Sequence, residues 1–290
     1  IFLPIEDHDK RKFPLGYDAV ADRTSRAWRF QNICIATLTL VPACSGVTVC
    51  GTRRQLNALK LLNRRSLLDN DLHHHQPLSV IYRDLIARVS SMSSDWGLKA
   101  PEQGLRYVDQ WIGLHANGRK LVVVTLRQYG VDPERNSRKT EWICFLAGLD
   151  KSRYLPVIVP DTDHALEELE GLADIFVFNE AAWNLGLRAA LYERAYINMF
   201  VNSGPASLCI LNPRTCYLLF KIIVPSIHLA SEATLREMGF EPDTQPAILT
   251  PFQRWVWEDD HREIIEREFL AMVDRLEDAS RAVTQCNSTN

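Results

Sequence analysis

The stretch that decides the fold runs from residue 119 to residue 207. It opens with Lys120-Leu-Val-Val-Val-Thr-Leu126, followed directly by Arg127, and it closes with Asn202-Ser203-Gly204-Pro205-Ala206-Ser207. Short apolar runs recur between these two points, and helical patterns separate them. Parallel strands are covered on both faces, so they read as apolar runs without clean alternation. The stretch therefore predicts an α/β fold with a doubly wound parallel sheet.

The predicted elements continue beyond this stretch. We expect strands at 121–126, 155–159, 174–178, 197–201 and 217–224, with helices at 138–149, 164–171, 181–194, 231–238 and 259–282. Ser231 suits the N-cap of its helix and Gly239 suits the stop. The first half is less regular, but the apolar run 33–40 predicts a central strand there. We therefore predict two Rossmann-like lobes, a smaller one at 1–117 and a nucleotide-binding one at 118–290, with the boundary at the Asn117-Gly118 turn.

Composition restricts the class of protein. The 290 residues carry a net charge of −3, which gives no general reason to expect nucleic-acid binding. No apolar run is long enough to cross a bilayer, and no secretory signal is visible. The seven cysteines form no CxxC pair, so the sequence predicts neither a zinc knuckle nor a redox motif. A reducing cytoplasm is the expected location.

Polar residues follow the first strand of the predicted sheet. Arg127 ends that strand, and Arg135-Asn136-Ser137 precedes the next helix, which Asn136 or Ser137 is placed to cap. Guanidinium groups match phosphate oxygens, and ligands of open α/β sheets bind at the carboxyl edge. These residues therefore predict a phosphate site. The alternative is an ion pair that joins Arg127 to Asp161 or Glu180.

A second polar loop, at 202–207, follows a later strand. Asn202, Ser203 and Ser207 offer polar groups, Gly204 allows close approach of a ligand to the backbone, and Pro205 suits a first helical turn. Asp161 follows another strand and is a candidate at the same edge. The alternatives are a plain strand-to-helix turn capped by Ser203, and a helix cap at Asp161 or Asp163.

Three further clusters have weaker patterns. The segment 253–260 combines two tryptophans with carboxylates, and it suits packing on the sheet followed by a helix start. His73, His74 and His75 lack metal-ligand spacing, so no metal site is predicted. Glu6, Asp7 and His8 are candidates for a general base, or they belong to a mobile tail.

At 122–137 and 200–207 the chain resembles glycosyltransferases of the GT-B type. It is most similar to the C-terminal, nucleotide-sugar-binding domain of heptosyltransferase-like enzymes and, more loosely, of fucosyltransferases. In those families a strand ends in a phosphate-binding arginine, here Val-Thr-Leu-Arg127, and a later Ser/Gly-Pro loop sits at a helix start, here 202–207. The resemblance covers about residues 118–282.

The resemblance implies metal-independent transfer of a sugar from a nucleotide diphosphate donor to a glycan or similar acceptor. No cofactor is expected beyond that donor, and the oligomeric state is not indicated. Catalysis requires a base for the acceptor hydroxyl, for which Glu6, Asp7 and His8 are the candidates, and stabilisation of the departing diphosphate. A nucleotide-sugar epimerase of the same architecture and a non-catalytic nucleotide-binding module are the alternatives.

Overall fold

The main sheet has six parallel strands. The computed structural model describes residues 2–4, 20–62, 83, 87, 96–168 and 174–288. Two short strands, β1 (Phe2–Pro4) and β2 (Thr48–Cys50), pair in parallel apart from it. The main sheet contains β3 (Lys120–Thr125), β4 (Tyr154–Val159), β5 (Phe176–Val177), β6 (Ile197–Val201), β7 (Tyr217–Phe220) and β8 (Gln253–Trp255). The expected α/β class with a parallel sheet is confirmed.

The order of the strands fixes where a ligand can bind. Across the sheet the order is β5-β4-β3-β6-β7-β8, so the chain first builds outward from β3 in one direction and then in the other. This is the order of doubly wound nucleotide-binding sheets, in which the loops after the two central strands diverge. The loops that follow β3 and β6 therefore flank one crevice at the carboxyl edge.

The helices flank the sheet, and a longer helical segment precedes it. That segment comprises α1 (Arg23–Arg29), a π-helix (Phe30–Ile35) and α2 (Ala36–Thr39). The other helices are α3 (Arg53–Leu62), α4 (Glu102–His115), α5 (Lys139–Gly148), α6 (Glu180–Trp183), α7 (Leu185–Arg194), α8 (Ser207–Ile210), α9 (Glu232–Glu237) and α10 (Arg262–Ser288). Among the described residues, none of these helices is both long and apolar enough to span a membrane.

Successive residues of β3 point to opposite faces, and each face has its own core. Val122 and Val124 pack in a cluster with Trp142 of α5 and Phe269 of α10. Val123 packs on the other face, in a cluster that contains residues of α4, α7 and α8. Helices on both faces make the sheet doubly wound, as predicted. Because α4 shares the core of this sheet, residues 102–115 belong structurally with it, while the boundary at 117/118 stays a prediction.

The predicted strand at 33–40 is wrong. The residues there continue a helix that starts after Asp22, whose carboxylate accepts the backbone N–H of Ser25 at 2.7 Å. An apolar, β-branched run of this length fits a strand and a buried helix equally well by periodicity. Residues 33–40 are therefore not the central strand of a smaller α/β lobe.

Several other boundaries differ from the predicted ones. Strand β7 ends at Phe220 because Lys221 adopts a left-handed backbone, with φ of +53°. The helix predicted at 164–171 is a short 3-10 turn, Thr162–His164, and 169–171 lies outside the described residues. The helix predicted at 181–194 divides at Asn184 into α6 and α7. Strand β8 was not predicted. The cap at Ser231 is confirmed by its bond from the Thr234 N–H at 3.3 Å.

Two glycines with left-handed backbones give a test of the packing beside the crevice. A Cβ on Gly97 would lie 2.6 Å from the carbonyl oxygen of Leu211, whereas a Cβ on Gly118 meets nothing within 4 Å. Both substitutions by alanine carry the cost of a left-handed residue, about 1–2 kcal/mol. We expect Gly97→Ala to lower the free energy of unfolding by about 1–3 kcal/mol more than Gly118→Ala, because it adds a steric clash. Equal values from urea denaturation would contradict the packing described.

Candidate functional site

A cavity of about 560 Å³ lies at the carboxyl edge of the sheet. Its described walls come from the loops after β3, β4 and β6, from α6 and α7, and from the helical segment 29–37. The cavity therefore opens at the point where the strand order reverses, as parallel-sheet topology predicts. It brings together Arg127, Arg135, Asp161, Ser203, Gly204, Pro205 and Ser207 from the sequence-predicted set.

The loop after β3 is closed by the side chain of Asn136. Its Oδ1 accepts the backbone N–H of Tyr129 at 3.0 Å, and its Nδ2 donates to the carbonyl of the same residue at 3.1 Å. Ser137 completes the closure, since its Oγ accepts the N–H of Arg127 at 2.9 Å and its own N–H donates to the Arg127 carbonyl at 3.0 Å. Neither side chain caps α5, as the sequence had suggested. They shape the loop instead.

Arg127 is built into this loop. Its guanidinium donates to Asn136 Oδ1, to the carbonyl of Asp132 at 3.1 Å and to the carbonyl of Val131 at 2.8 Å. The residue lines the cavity but is only 8% exposed. The ion pair considered with Asp161 or Glu180 does not form. Burial, and then the charge of Arg135, lower the pKa of Arg127, so its positive charge is only weakly compensated.

Two other arginines have side-chain nitrogens without acceptors. Arg135 donates to the carbonyl of Asn202 at 3.2 Å and lies 3.7 Å from the carboxylate of Asp132. Arg29, on α1, pairs with Asp163 at 2.5 Å. In both arginines Nε is buried and has no hydrogen-bond partner among the described residues. Buried donors are nearly always satisfied in folded proteins, so these two nitrogens are available to a ligand oxygen or an ordered water.

The aromatic ring of Tyr129 lies close to two of the arginines, Arg29 and Arg127. The guanidinium carbons of Arg29 and Arg127 lie 5.1 and 5.8 Å from the centre of its ring. Cations are attracted to an aromatic face at such distances. The ring therefore helps to hold two positive charges close together beside the cavity, where their mutual repulsion would otherwise separate them.

The loop after β6 contributes some of its residues to the cavity and uses others to hold its own structure. The side chain of Asn202 donates to the carbonyl of Ile222 at 3.2 Å, and it is not among the described residues that line the cavity. Ser203 occupies an N-cap position without a side-chain capping bond. A Cβ on Gly204 would meet nothing within 4 Å, so the backbone there is open to a ligand. The helical turn that follows is short, a 3-10 turn at Gly204–Ala206 and then α8.

Asp161 links two loops and also lines the cavity. Its carboxylate accepts the N–H of Gln128 at 3.1 Å and that of Asp163 at 3.4 Å. The latter bond makes Asp161, and not Asp163, the N-cap of the 3-10 turn, which was the alternative considered for these two residues. Because both bonds are to backbone N–H groups, Asp161 fixes the loop after β3 against the loop after β4.

A buried ionic cluster supports the β3 loop from behind. Lys221 Nζ donates to the carbonyl of Asn136 at 3.1 Å and lies 3.2 and 3.4 Å from the carboxylates of Asp259 and Asp260. Asp260 is fully buried and accepts the Trp142 indole N–H at 2.7 Å. Burial, and then the neighbouring Asp259, raise the pKa of Asp260. The carboxylates of the 253–260 segment therefore serve the structure of the site.

Six residues of the site were missed by sequence reasoning: Arg29, Tyr129, Asp132, Trp183, Arg188 and Lys221. Arg29 precedes the run misread as a strand, and Trp183 and Arg188 lie inside a pattern read as one helix. Lys221 lies inside the run 217–224, which was read as a single strand. The candidate bases Glu6, Asp7 and His8, and the histidines 73–75, lie outside the described residues. No group of three metal-ligating side chains occurs in the described part of the chain.

No protein-family description matches the chain, and no curated protein sequence matches it either. Among solved structures, the glycosyl transferase family 9 from Veillonella parvula DSM 2008 is similar, with 14% identity and a TM-score of 0.37. The match covers 45% of this chain and 38% of that one, so it spans well under two thirds of the known protein. A similarity of this extent is not evidence for an activity.

Asp260 gives a test of the cluster behind the loop. Asp260→Ala removes the acceptor of the Trp142 indole N–H and of the Arg138 backbone N–H, and it removes one of the two carboxylates beside Lys221. Breaking a buried pair in this way costs about 3–5 kcal/mol. We expect that loss in the free energy of unfolding, with faster amide hydrogen exchange in residues 128–137.

Asp278→Ala is the matched control, because Asp278 forms an exposed pair with Arg281 at 2.7 Å. Exposed pairs contribute about 0–1 kcal/mol. Similar destabilisation by the two substitutions, or unchanged exchange in the loop, would show that the buried cluster does not support the site.

Proposed function

We propose that this cavity binds the diphosphate of a nucleotide sugar and that the protein is a glycosyltransferase. The observation that carries the proposal is the set of arginines at the point where the strand order reverses. Arg29, Arg127, Arg135 and Arg188 line one cavity. No described carboxylate pairs with Arg127 or Arg188, and Nε of Arg29 and of Arg135 has no partner within the described part of the chain.

The charge balance favours an anionic ligand. Asp132 and Asp161 are the described acidic residues of the lining, and the carboxylate of Asp161 is engaged by backbone N–H groups. The lining thus has four positive and two negative side chains. Guanidinium groups bind phosphate oxygens in a bidentate manner, and such charge-assisted bonds are stronger than neutral ones. A diphosphate supplies several such oxygens.

Transfer chemistry follows from this arrangement. When the bond between the anomeric carbon and the diphosphate breaks, negative charge develops on the leaving oxygen. Arg135 and Arg29 are placed to stabilise it without a metal ion, and the accessible backbone at Gly204 allows close approach of the phosphates. The acceptor hydroxyl must lose a proton to a base, and Glu6, Asp7 and His8 remain the proposed candidates. The donor is a hexosyl or heptosyl nucleotide, and the acceptor is a glycan or similar molecule.

Arg135 allows a test of the diphosphate site. Arg135→Met removes the charge but keeps much of the apolar stem. A charge-assisted bond contributes about 1.5–3 kcal/mol, so affinity for inorganic pyrophosphate should fall roughly ten- to a hundredfold. Isothermal titration calorimetry measures this. Arg153→Met is the control, because Arg153 pairs with Glu277 at 2.7 Å and is not part of the described lining. Unchanged affinity in Arg135→Met would contradict the site.

The reaction itself is tested with donor panels. A thermal-shift screen against UDP, GDP, ADP and CMP sugars identifies the nucleotide, because ligand binding raises stability by mass action. Release of free nucleotide in the presence of an acceptor then marks a transferase. Interconversion of the donor without an acceptor would instead indicate an epimerase, and binding without turnover a non-catalytic module. Either of these results would overturn the proposal.

A further inference from the structure

Trp183 lies on the same cavity as the arginines and is unusually exposed for its type. It ends α6, after β5, and 37% of its surface is accessible. No other described ring stacks on it. An exposed tryptophan at the wall of a cavity offers a flat aromatic face of the kind on which planar ligand groups stack.

The position of this ring is fixed by four hydrogen bonds. Its indole N–H donates to the carbonyl of Thr162 at 3.3 Å, and Thr162 Oγ1 donates to the carbonyl of Ala182 at 3.0 Å. Arg188, buried on α7, donates through Nε to the carbonyl of Ala181 at 2.6 Å and through Nη2 to that of Ala182 at 3.1 Å. The segment that carries Trp183 is therefore held before any ligand binds, which lowers the entropic cost of binding.

The lining of the cavity extends along the sheet edge, past the ends of β5, β4, β3 and β6. It comes from the loops after β4, β3 and β6 and from α6, which follows β5. With strands about 4.8 Å apart, the four strand ends span about 14 Å. Arg135 reaches the carbonyl of Asn202 at the end of β6, whereas Trp183 stands after β5. Arg135 and the aromatic face therefore lie toward opposite ends of one cavity, and Arg29, through its pair with Asp163, contacts the loop after β4 between them.

We propose that Trp183 is the stacking surface for the nucleobase. This rests on the proposed function, since it assigns an orientation to the same ligand: the diphosphate lies by Arg135 and Arg29, and the base lies on Trp183, over the ends of β4 and β5. Thr162 and Asp161 line the cavity between the two ends, where the ribose would pass. The competing explanation is that Trp183 only closes the wall of the cavity.

Two ligands and three variants separate these explanations. The variants are Trp183→Ala, Trp183→Phe and the control Trp28→Ala, and Trp28 matches Trp183 in being 37% exposed but is not part of the described lining. The probes are inorganic pyrophosphate and whichever of UDP, ADP and GDP binds the wild-type chain most tightly. Stacking of one base on an aromatic ring corresponds to roughly five- to a hundredfold in affinity.

We expect Trp183→Ala to lower the affinity for the nucleoside diphosphate by that factor and to leave the affinity for pyrophosphate unchanged. Trp183→Phe should recover part of the nucleotide affinity, and Trp28→Ala should change neither affinity. An equal loss of affinity for both ligands in Trp183→Ala would show that Trp183 only closes the wall of the cavity, and it would overturn the inference. Unchanged nucleotide affinity in this variant would overturn it too. Failure of the wild-type chain to bind pyrophosphate would count against the proposed function instead. If none of the nucleotides binds either, both ideas fail.

Discussion

The amide of Asn136 is the interaction on which the candidate site depends. By pairing with both backbone groups of Tyr129, it closes the loop after β3 in the way that one strand pairs with another. Arg127 then fills the interior of the loop, and Tyr129 is turned toward Arg29. Lys221 donates to the backbone carbonyl of Asn136 itself. A single residue, through its side chain on one side and its backbone carbonyl on the other, thus joins the cavity to the ionic cluster at the end of the sheet.

The arginines around the cavity fall into two groups with different roles. Arg127 and Arg188 donate to backbone carbonyls, which fix their positions without cancelling their charge. Arg29 and Arg135 each have a carboxylate nearby and an unused Nε. A buried charge is costly unless it is compensated. The first group therefore adds positive charge to the lining of the cavity, and the second group has Nε donors without a partner among the described residues.

The sequence predicted the centre of the fold well and its periphery poorly. The runs that became β3, β4 and β6 are buried on both faces, so their composition alone identifies them. Arg127 and the loop after β6 followed from the rule that strand ends meet at one edge. The strand predicted at 33–40 is wrong because the residues there suit a strand and a helix equally well. Strand β8 was missed because Gln253 and Arg254 make its sequence polar. In the structure the Gln253 side chain is buried and donates to the carbonyls of Asn212 and Thr215.

Side chains that belong to the site through long-range contacts had no local signal. Arg188 bonds the backbone of the segment that carries Trp183 across a break at Asn184, where the backbone leaves the helix and the Asn184 side chain caps α7. The left-handed conformation of Lys221 is rare for a residue with a side chain, and it directs the ammonium group toward a loop 85 positions earlier. Such placements depend on tertiary packing, which periodicity does not encode.

The π-helix at Phe30–Ile35 has a consequence for how this wall of the cavity could have arisen. A π-helical turn contains more residues than an α-helical one, as if a residue had been inserted without lengthening the helix. One residue inserted into a regular α-helix would rotate everything before it by about 100° relative to Thr37. The π-helical turn absorbs the extra residue, so Arg29 keeps its place beside Tyr129 and Asp163. This segment can thus gain a residue by a single-codon insertion without turning its arginine away from the cavity.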